Sequence, residues 1–400
     1  MLNTPFSSWP SFTAEEAEAA QRVLLSNRVN YWTGEEGRNF EKEFAFFSDS
    51  KHAIAVANGT VALDLALIGI GVGHGDEVIV TSRTFLASVS SIVTCGATPV
   101  FADLDPNSQN ITAESINAVI SDKTKAIICV HLAGFPCEMD EIMDLANRCG
   151  LLVIEDCAQA HGAKYKGRSV GSIGHVGAWS FCQDKIMTTG GEGGMVTTDD
   201  ELLWKKMWAY KDHGKSWDSV YNKKHPPGFR WLHDSFGTNW RLTEIQSAIG
   251  RIQLRRMAEW TEKRRYNAGL LDQTASQFPS IRTVAVPEHM EHAEYKHYMF
   301  VEPKCLKSDW NRDRIVEELN SLGVPCFQGS CSEVYLEKAF DNTNYRPEVS
   351  LPIAKKLGET SLMFLVHPTL TAFEIKKVCD AINSVMSLAT KQKEFHKTSI

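Results

Sequence analysis

The chain has 400 residues, of which 43% are hydrophobic and 23% are charged, so it is long enough to form a large core and two domains. Its 42 basic and 49 acidic residues give a net charge of -7 without a dense Lys/Arg stripe, which argues against nucleic acid as a partner. The absence of a secretory signal and of an uninterrupted apolar span predicts a cytoplasmic protein outside membranes, and ten scattered cysteines without a CxxC pair indicate no metal site.

The first half of the chain predicts one helix and then an alternation of strands and helices. Thr13 and Glu16 have the spacing of a capping box, and the helix is expected to run to about Leu25. From His52 onward, five short apolar runs alternate with segments of helical length: HAIAV, EVIV, TPVFA, KAIICV and LLVIE. Such runs predict an α/β fold with a mostly parallel sheet between helices, in which ligands bind at the carboxyl ends of the strands.

The second half predicts a long helix and then a smaller unit. A helical pattern starts near Thr243 and continues through residues 244–270. From about Ser280, the strands HYMFVE, GVPCF and SLMFLV alternate with helices, which indicates a C-terminal α+β domain. We therefore place a large domain at residues 1–255 and a small domain at residues 256–400, whose polar end, KQKEFHKTSI, is expected to fray.

An acid and a lysine between Val153 and Thr198 have the positions expected for a site that holds a pyridinium ring. Asp156 follows the apolar run LLVIE, where a carboxylate is costly unless it meets a cation, and a structural salt bridge is the alternative to a pyridine nitrogen. Lys185 lies between the strand GAWSF and a glycine-rich loop. Most lysines are solvated surface charges, but a strand aims this amine at a place where backbone can approach closely, as a lysine that bonds to a carbonyl requires.

Further polar residues could hold the rest of the same ligand. Gly59 and Thr60 open a helix directly after a strand, which favours a phosphate, although a plain N-cap is the alternative. Ser180 could be a second phosphate donor, and Gln159 could donate to an oxygen of the ligand unless it is a surface glutamine. The glycines of residues 69–75 follow a helix and precede a strand, so they predict a helix stop and not a dinucleotide fingerprint.

Four motifs resemble the DegT/DnrJ/EryC1/StrS family of sugar aminotransferases, which depend on pyridoxal 5'-phosphate (PLP). They are NGTVALDLAL, EDCAQAHGA, SFCQDKIMTTGGEGG and GTNWRLTEIQSAIG, and the resemblance extends from about Asn30 to Leu388. It implies the fold-type-I aminotransferase architecture, with a seven-stranded, mostly parallel sheet in the large domain. Many relatives carry a segment like FFPTKNLGAYGDGG around the lysine, so FCQDKIMTTGGEGG is a departure that leaves the substrate subclass open.

The resemblance also implies roles for individual residues. Lys185 matches the lysine that bonds covalently to PLP, Asp156 the acid that pairs with the pyridine nitrogen, and Gln159 the group near the ring hydroxyl. The other implied cofactor contacts, to the phosphate and to one face of the ring, are Gly59, Thr60, Ser180 and Phe85.

The resemblance also implies roles for three further residues, one in a partner subunit's site and two near the sugar. Asn239 matches a residue that reaches the phosphate from the partner subunit, which implies a homodimer with shared active sites. His131 and His367 match positions near the sugar pocket, although packing against other side chains is an equal alternative for both.

The activity implied by the resemblance is transfer of an amino group from L-glutamate to a nucleotide-linked keto sugar. The expected acceptor is C4 of a UDP-, dTDP- or GDP-linked 4-keto-6-deoxyhexose, for surface polysaccharide such as O-antigen, with a 3-keto sugar as the nearest alternative. A PLP-dependent sugar dehydratase would carry histidine in place of Lys185. A non-catalytic PLP-binding regulator would need a nucleic-acid-binding module, for which the sequence carries no basic patch.

Overall fold

The computed structural model describes residues 6–391, which form fourteen strands in three sheets and thirteen α-helices. In chain order, the strands are β1 (His52–Val56), β2 (Glu77–Thr81), β3 (Thr98–Ala102), β4 (Thr124–Val130), β5 (Leu152–Asp156), β6 (Lys164–Tyr165), β7 (Arg168–Ser169), β8 (Val176–Ser180), β9 (Gly194–Thr198), β10 (Ile281–Thr283), β11 (Met290–Glu291), β12 (His297–Val301), β13 (Cys326–Phe327) and β14 (Ser361–Phe364). The helices are α1 (Ala14–Leu25), α2 (Glu36–Phe47), α3 (Gly59–Gly69), α4 (Ala87–Thr94), α5 (Ala113–Asn117), α6 (Met139–Cys149), α7 (Glu201–Lys211), α8 (Trp217–Tyr221), α9 (Glu244–Arg255), α10 (Met257–Ala275), α11 (Arg312–Ser321), α12 (Pro352–Thr360) and α13 (Ala372–Ala389).

The largest sheet has seven strands in the order β1-β9-β8-β5-β4-β2-β3. The pairs β2–β3, β2–β4, β4–β5 and β5–β8 are parallel, whereas β9 runs antiparallel to both of its neighbours, β1 and β8. The predicted α/β fold with a mostly parallel sheet is therefore confirmed, and the five apolar runs of the sequence are β1 to β5.

Both faces of this sheet are covered, which explains why its strands are apolar at consecutive positions. Val78 and Val80 of β2 belong to the core cluster that contains Leu65 of α3. Ile79, which points to the opposite face, belongs to the cluster that contains Ile142 of α6. A strand buried on both sides cannot show the polar alternation of a half-exposed strand.

Side-chain caps set the beginning of several helices as the sequence predicts. Capping boxes begin α1 at Thr13, α9 at Thr243 and α13 at Thr371. The glycine run of residues 69–75 ends α3 and leads into β2, so the expected helix stop is also confirmed.

The long helix expected after Thr243 is in fact two helices, α9 and α10, that meet at Arg256. The chain bends there because the two halves pack against different neighbours, α9 against α1 and α2 and α10 against α13. The guanidinium of Arg256 pairs with Glu15 and Glu16 of α1, which holds the bend in place. The proposed domain boundary after residue 255 coincides with this bend.

The C-terminal part of the chain contains a four-stranded antiparallel sheet in the order β10-β12-β14-β13. Strand β12 links it to the rest of the protein, because Met299 and Val301 pack with Leu271 of α10 while Phe300 packs in the cluster of Ile142. The polar end predicted to fray lies outside the described residues except for Lys391. All ten cysteines are free, and no helix within residues 6–391 has the length and apolar character needed to cross a bilayer.

A buried charge network fixes the chain where it enters β12. The His297 ring lies between Asp272 of α10, at 3.0 Å from Nε2, and Glu294, at 3.2 Å from Nδ1. Burial alone would lower the pKa of His297, but its hydrogen bonds to these two carboxylates raise it to about 10. The imidazolium therefore joins α10 to the residues that precede β12.

This network predicts a pH dependence of stability. The pKa of His297 is raised by folding from 6.5 to about 10, so its stabilisation is complete below pH 6.5 and is lost as the pH rises through about 10. We expect the free energy of unfolding of the wild type to fall more steeply over this interval than that of His297→Asn, as measured by urea unfolding at a series of pH values. His74→Asn, in an exposed turn, should keep the wild-type slope. Equal slopes for the wild type and His297→Asn would contradict the assignment.

Candidate active site

The carboxyl ends of β1, β2, β5 and β8 open into a cavity of about 770 Å³. Seven of the residues expected from the sequence to hold a cofactor line this cavity together: Gly59, Thr60, Phe85, Asp156, Gln159, Ser180 and Lys185. Residues of the smaller sheet and its loops, among them Tyr298 and Met363, form part of the wall. The cavity thus lies between the two sheets, where clefts that bind ligands are common.

Asp156 is the last residue of β5, and its carboxylate is almost completely buried. The hydroxyl of Ser88 donates to Oδ2 at 2.8 Å, and the backbone N–H of Ala158 donates to Oδ1 at 3.1 Å. Burial raises the pKa of Asp156, although the Ser88 hydrogen bond opposes this rise. A cationic group in the cavity would stabilise the ionised carboxylate, because two neutral donors only partly replace its hydration.

Lys185 follows β8 and extends into the same cavity. Its backbone is held by the indole N–H of Trp9, which donates to the Lys185 carbonyl at 2.8 Å. Its Nζ lies 5.1 Å from the centroid of the Tyr295 ring. The amine is therefore positioned by contacts at both ends of the residue, while its position in the cavity leaves it available to a ligand.

The beginning of α3 forms a narrow cradle beside Ser180. Asn58 caps the helix by accepting from the N–H of Val61 at 2.9 Å, so Gly59 and Thr60 form the first turn with their N–H groups unpaired inside the helix. A Cβ on Gly59 would lie 2.5 Å from Ser180 Cβ, which leaves room only for glycine. A helix N-terminus with a hydroxyl on each side favours a phosphate or another oxyanion.

Gln159 and Phe85 complete the part of the cavity expected from the sequence. The side-chain oxygen of Gln159 accepts from the N–H of Ala133 at 2.7 Å, which orients the amide and leaves its NH2 group as a donor. The Phe85 side chain is 71% exposed even though it lines the cavity. An aromatic face that is open in this way can stack on a planar ring.

The two histidines proposed near a sugar do not line the cavity. His131 is fully buried, with Nε2 2.9 Å from Glu155 Oε2 and Nδ1 accepting from the N–H of Cys137 at 3.0 Å. Glu155 also accepts three backbone N–H groups, so His131, Glu155 and the nearby Cys157 are a satisfied structural cluster. This placement favours the packing alternative for His131.

His367 is also buried away from the cavity lining. It stacks on Trp9, its Nδ1 lies 2.8 Å from the Thr369 hydroxyl, and burial lowers its pKa to about 3. A neutral histidine held by an aromatic neighbour supports the backbone around Lys185 through Trp9.

Asn239 is exposed and lies outside the cavity of its own chain. The neighbouring carbonyl of Trp240 accepts from the N–H of Ala57 at 2.9 Å, next to the first turn of α3. An exposed position near the edge of the cradle is compatible with a contact to a second subunit, which remains a prediction.

Several residues of the cavity were not predicted from the sequence. Ser88 binds Asp156 from α4, and Tyr295, Lys296 and Tyr298 reach the cavity from the segment that enters β12. These residues belong to none of the four motifs and lie far from Asp156 in sequence. The available signal was the polar pair Tyr295-Lys296 immediately before an apolar strand, since residues at strand ends often face a site.

The family model described as the DegT/DnrJ/EryC1/StrS aminotransferase family matches residues 10–383. The chain belongs to this family. It is 38% identical over 362 residues to GDP-perosamine synthase of Caulobacter vibrioides, an alignment that covers 89% of this chain and 92% of that protein.

Solved structures of aminotransferases have the same fold. A Psychrobacter cryohalolentis aminotransferase is 64% identical, with a TM-score of 0.94 and coverage of 96% of this chain and 99% of that one. Spr1654 of Streptococcus pneumoniae, solved in its PMP form, is 25% identical, with a TM-score of 0.86 and coverage of 96% and 99%. The chain is thus a fold-type-I aminotransferase of a PLP-dependent family.

The cavity of this aminotransferase fits PLP by its own geometry. The cofactor has a phosphate, a planar ring whose nitrogen can be protonated, and an aldehyde. Gly59 and Ser180 form a cradle that a Cβ would fill, Asp156 is a buried carboxylate whose hydrogen-bond donors are neutral, and Lys185 is an amine directed into the cavity. Each functional group of PLP therefore has a chemically matched residue.

We expect Gly59→Ala to weaken PLP binding, because the added Cβ would overlap Ser180 at the cradle. The dissociation constant of PLP for the apoenzyme should rise about fivefold to 150-fold, as overpacking of about one to three kcal/mol implies. Titration of the apoenzyme with PLP, followed by absorbance, measures this constant. Gly73→Ala is the matched control, because nothing lies within 4 Å of its Cβ. An unchanged constant for Gly59→Ala would exclude the cradle as the phosphate site.

Proposed function

We propose that this aminotransferase moves the amino group of L-glutamate to a nucleotide-linked keto sugar. The most direct acceptor is C4 of a UDP-, dTDP- or GDP-linked 4-keto-6-deoxyhexose, and the product would be an amino sugar for a surface polysaccharide or glycan. The relative named GDP-perosamine synthase supports a nucleotide-linked amino sugar. A 3-keto sugar is the alternative acceptor.

The observation that carries this proposal is that Lys185 and Asp156 enter one cavity from neighbouring strands, β8 and β5. PLP, when bound, supplies a ring that accepts electrons and carries the amino group between the two substrates. Asp156 would keep a proton on the ring nitrogen, because a buried carboxylate whose hydrogen-bond donors are neutral favours a positive charge beside it. Thr60 and Ser180 would bind the phosphate and fix the ring in register with Asp156.

Lys185 would serve as the acid and base of the reaction. An amine that is free of the cofactor can take the proton from the substrate carbon that bears the nitrogen and deliver it to C4′ of the cofactor, on the other side of that nitrogen. The Trp9 indole donates a hydrogen bond to the Lys185 carbonyl, and the Tyr295 ring lies beside Nζ. These two contacts would keep Nζ close to both carbons. The presence of lysine at this position favours transamination over the dehydratase alternative, in which histidine would occupy it.

The proposed assembly is a homodimer in which Asn239 contacts the phosphate in the partner's site. Its exposure in the single chain supports this role, because a polar side chain outside its own cavity is free to enter another.

The substrate is tested by incubating the purified holoenzyme with 15N-labelled L-glutamate and a panel of nucleotide-linked keto sugars. The panel should contain GDP-, dTDP- and UDP-linked 4-keto-6-deoxyhexoses and the corresponding 3-keto sugars. We expect 15N in the product at C4, detected by mass spectrometry and located by NMR. Label at C3 would establish the alternative acceptor, and the absence of label in every sugar would contradict the proposed function.

Lys185→Ala should abolish the visible absorbance of the covalently held cofactor and lower kcat by at least about a hundredfold, the contribution typical of an acid–base group. Spectrophotometry of the purified variant with added PLP measures the first effect, and the labelled assay measures the second. Lys304→Ala, an exposed lysine outside the cavity, is the control and should retain both. A wild-type spectrum from Lys185→Ala would refute the assignment of this lysine.

A further inference from the structure

Lys296 is a second lysine in the cavity, and its backbone is held rigidly. It lies between Tyr295, which also lines the cavity, and His297, which the carboxylates of Glu294 and Asp272 hold from both sides. Glu294 adopts a positive φ of 51°, and its N–H donates to His292 Nδ1 at 2.7 Å. Because the backbone is held on both sides of Lys296, this residue has a defined position in the cavity wall.

The ammonium group of Lys296 has no acidic partner of its own. Among residues 6–391, no carboxylate forms a salt bridge with its Nζ, which lies 4.8 Å from the Tyr295 ring centroid. Asp184, an acid that also lines the cavity, already accepts a hydrogen bond from the hydroxyl of Tyr295. Burial lowers the pKa of Lys296 to about 8, because a charged amine is poorly solvated there.

Other cations surround this end of the cavity. Lys185 and Arg264 are close enough to lower the pKa of Lys296 further, although Asp184 raises it. Arg264 is fully buried, its Nε and Nη2 have no hydrogen-bond partner within the described chain, and burial lowers its pKa to about 9. Lys296 and Lys185 line this end of the cavity and Arg264 is buried beside it, while Asp184 is engaged by Tyr295 and Glu294 by His297, which makes the region suitable for an anion.

We infer that Lys296 binds the α-carboxylate of the amino-acid donor. This assignment rests on the proposed function, in which L-glutamate supplies the amino group. The α-carboxylate is attached to the carbon that bears the amino group, so it must lie near Lys185 when that carbon reacts. The diphosphate of a nucleotide sugar is separated from the reacting C4 by the sugar ring, and the phosphate of PLP has its cradle at the start of α3.

The test separates these anions by direct binding to the holoenzyme. The probe for the donor is 2-oxoglutarate, which has both carboxylates of glutamate but no amino group to transfer, and the probes for the nucleotide are GDP and UDP. By isothermal titration calorimetry, Lys296→Met should raise the dissociation constant of 2-oxoglutarate about tenfold or more, as loss of a charged hydrogen bond implies. Lys296→Arg should recover part of the affinity, and the nucleotide constants should not change in either variant.

Kinetics of the donor step identify the carboxylate that is bound. With no sugar present, Lys296→Met should slow the reaction of L-alanine as much as that of L-glutamate, since both amino acids have the α-carboxylate. A loss confined to L-glutamate would overturn the assignment, because the contact would then be to the side-chain carboxylate. A loss of GDP or UDP affinity with unchanged 2-oxoglutarate binding would also overturn it.

Two controls keep the result interpretable. Lys304→Met, outside the cavity, should leave every constant at the wild-type value, and the visible absorbance of bound PLP should be the same in all variants. A failure to aminate any keto sugar would contradict the proposed function without changing the affinity for 2-oxoglutarate. The two proposals can therefore fail independently.

Discussion

The burial of the Asp156 carboxylate is the constraint on which the site depends. β5 lies inside the seven-stranded sheet, between β4 and β8, so its last residue cannot be solvated from the side. Ser88 and Ala158 provide two donors but no charge, and the pKa of the carboxyl group is raised as a result. A bound cation would relieve this cost, which gives the fold a physical reason to hold a protonated ring at this point.

The position of that charge sets the positions of the other groups. β8 is the parallel neighbour of β5, so Lys185 leaves the sheet on the same edge as Asp156. Strand β9 returns antiparallel between β8 and β1, and α3 begins directly after β1. The cradle of Gly59 and Ser180 is thereby placed in the same cavity as the carboxylate.

Much of this arrangement follows from local rules in the sequence. The strands β1 to β5 are short and apolar because the sheet is covered on both sides, and the caps at Thr13, Thr243 and Thr371 satisfy N–H groups within one turn. Residues that follow such strands converge in space, which is why Asp156 and Lys185 could be paired from the sequence. The family resemblance added the cofactor to a pair that spacing alone left open.

Other features depend on contacts between distant parts of the chain and have no local signal. The bend at Arg256 carries no proline or glycine and arises because α9 and α10 pack on different partners. His131 follows a strand as Asp156 does, yet its ring turns toward Glu155 inside the protein and not into the cavity. Strand-end position therefore predicts which residues are near a site, but the direction of each side chain is decided by its neighbours.

The residues that fit the cofactor have a local signal in the sequence, whereas the residues of the facing wall do not. Three of the four motifs lie within residues 58–194 and contain most of the residues that match PLP, whereas the facing wall comes from residues 295–363 and belongs to no motif. On that wall, the charged network around His297 fixes Tyr295 and Lys296, and Gly329 approaches Tyr298 so closely that a Cβ would lie 2.4 Å from its ring. Residues held this firmly can discriminate between substrates by shape and charge. The motifs thus contain most of the residues that fit PLP, whereas the facing wall is built from residues outside every motif.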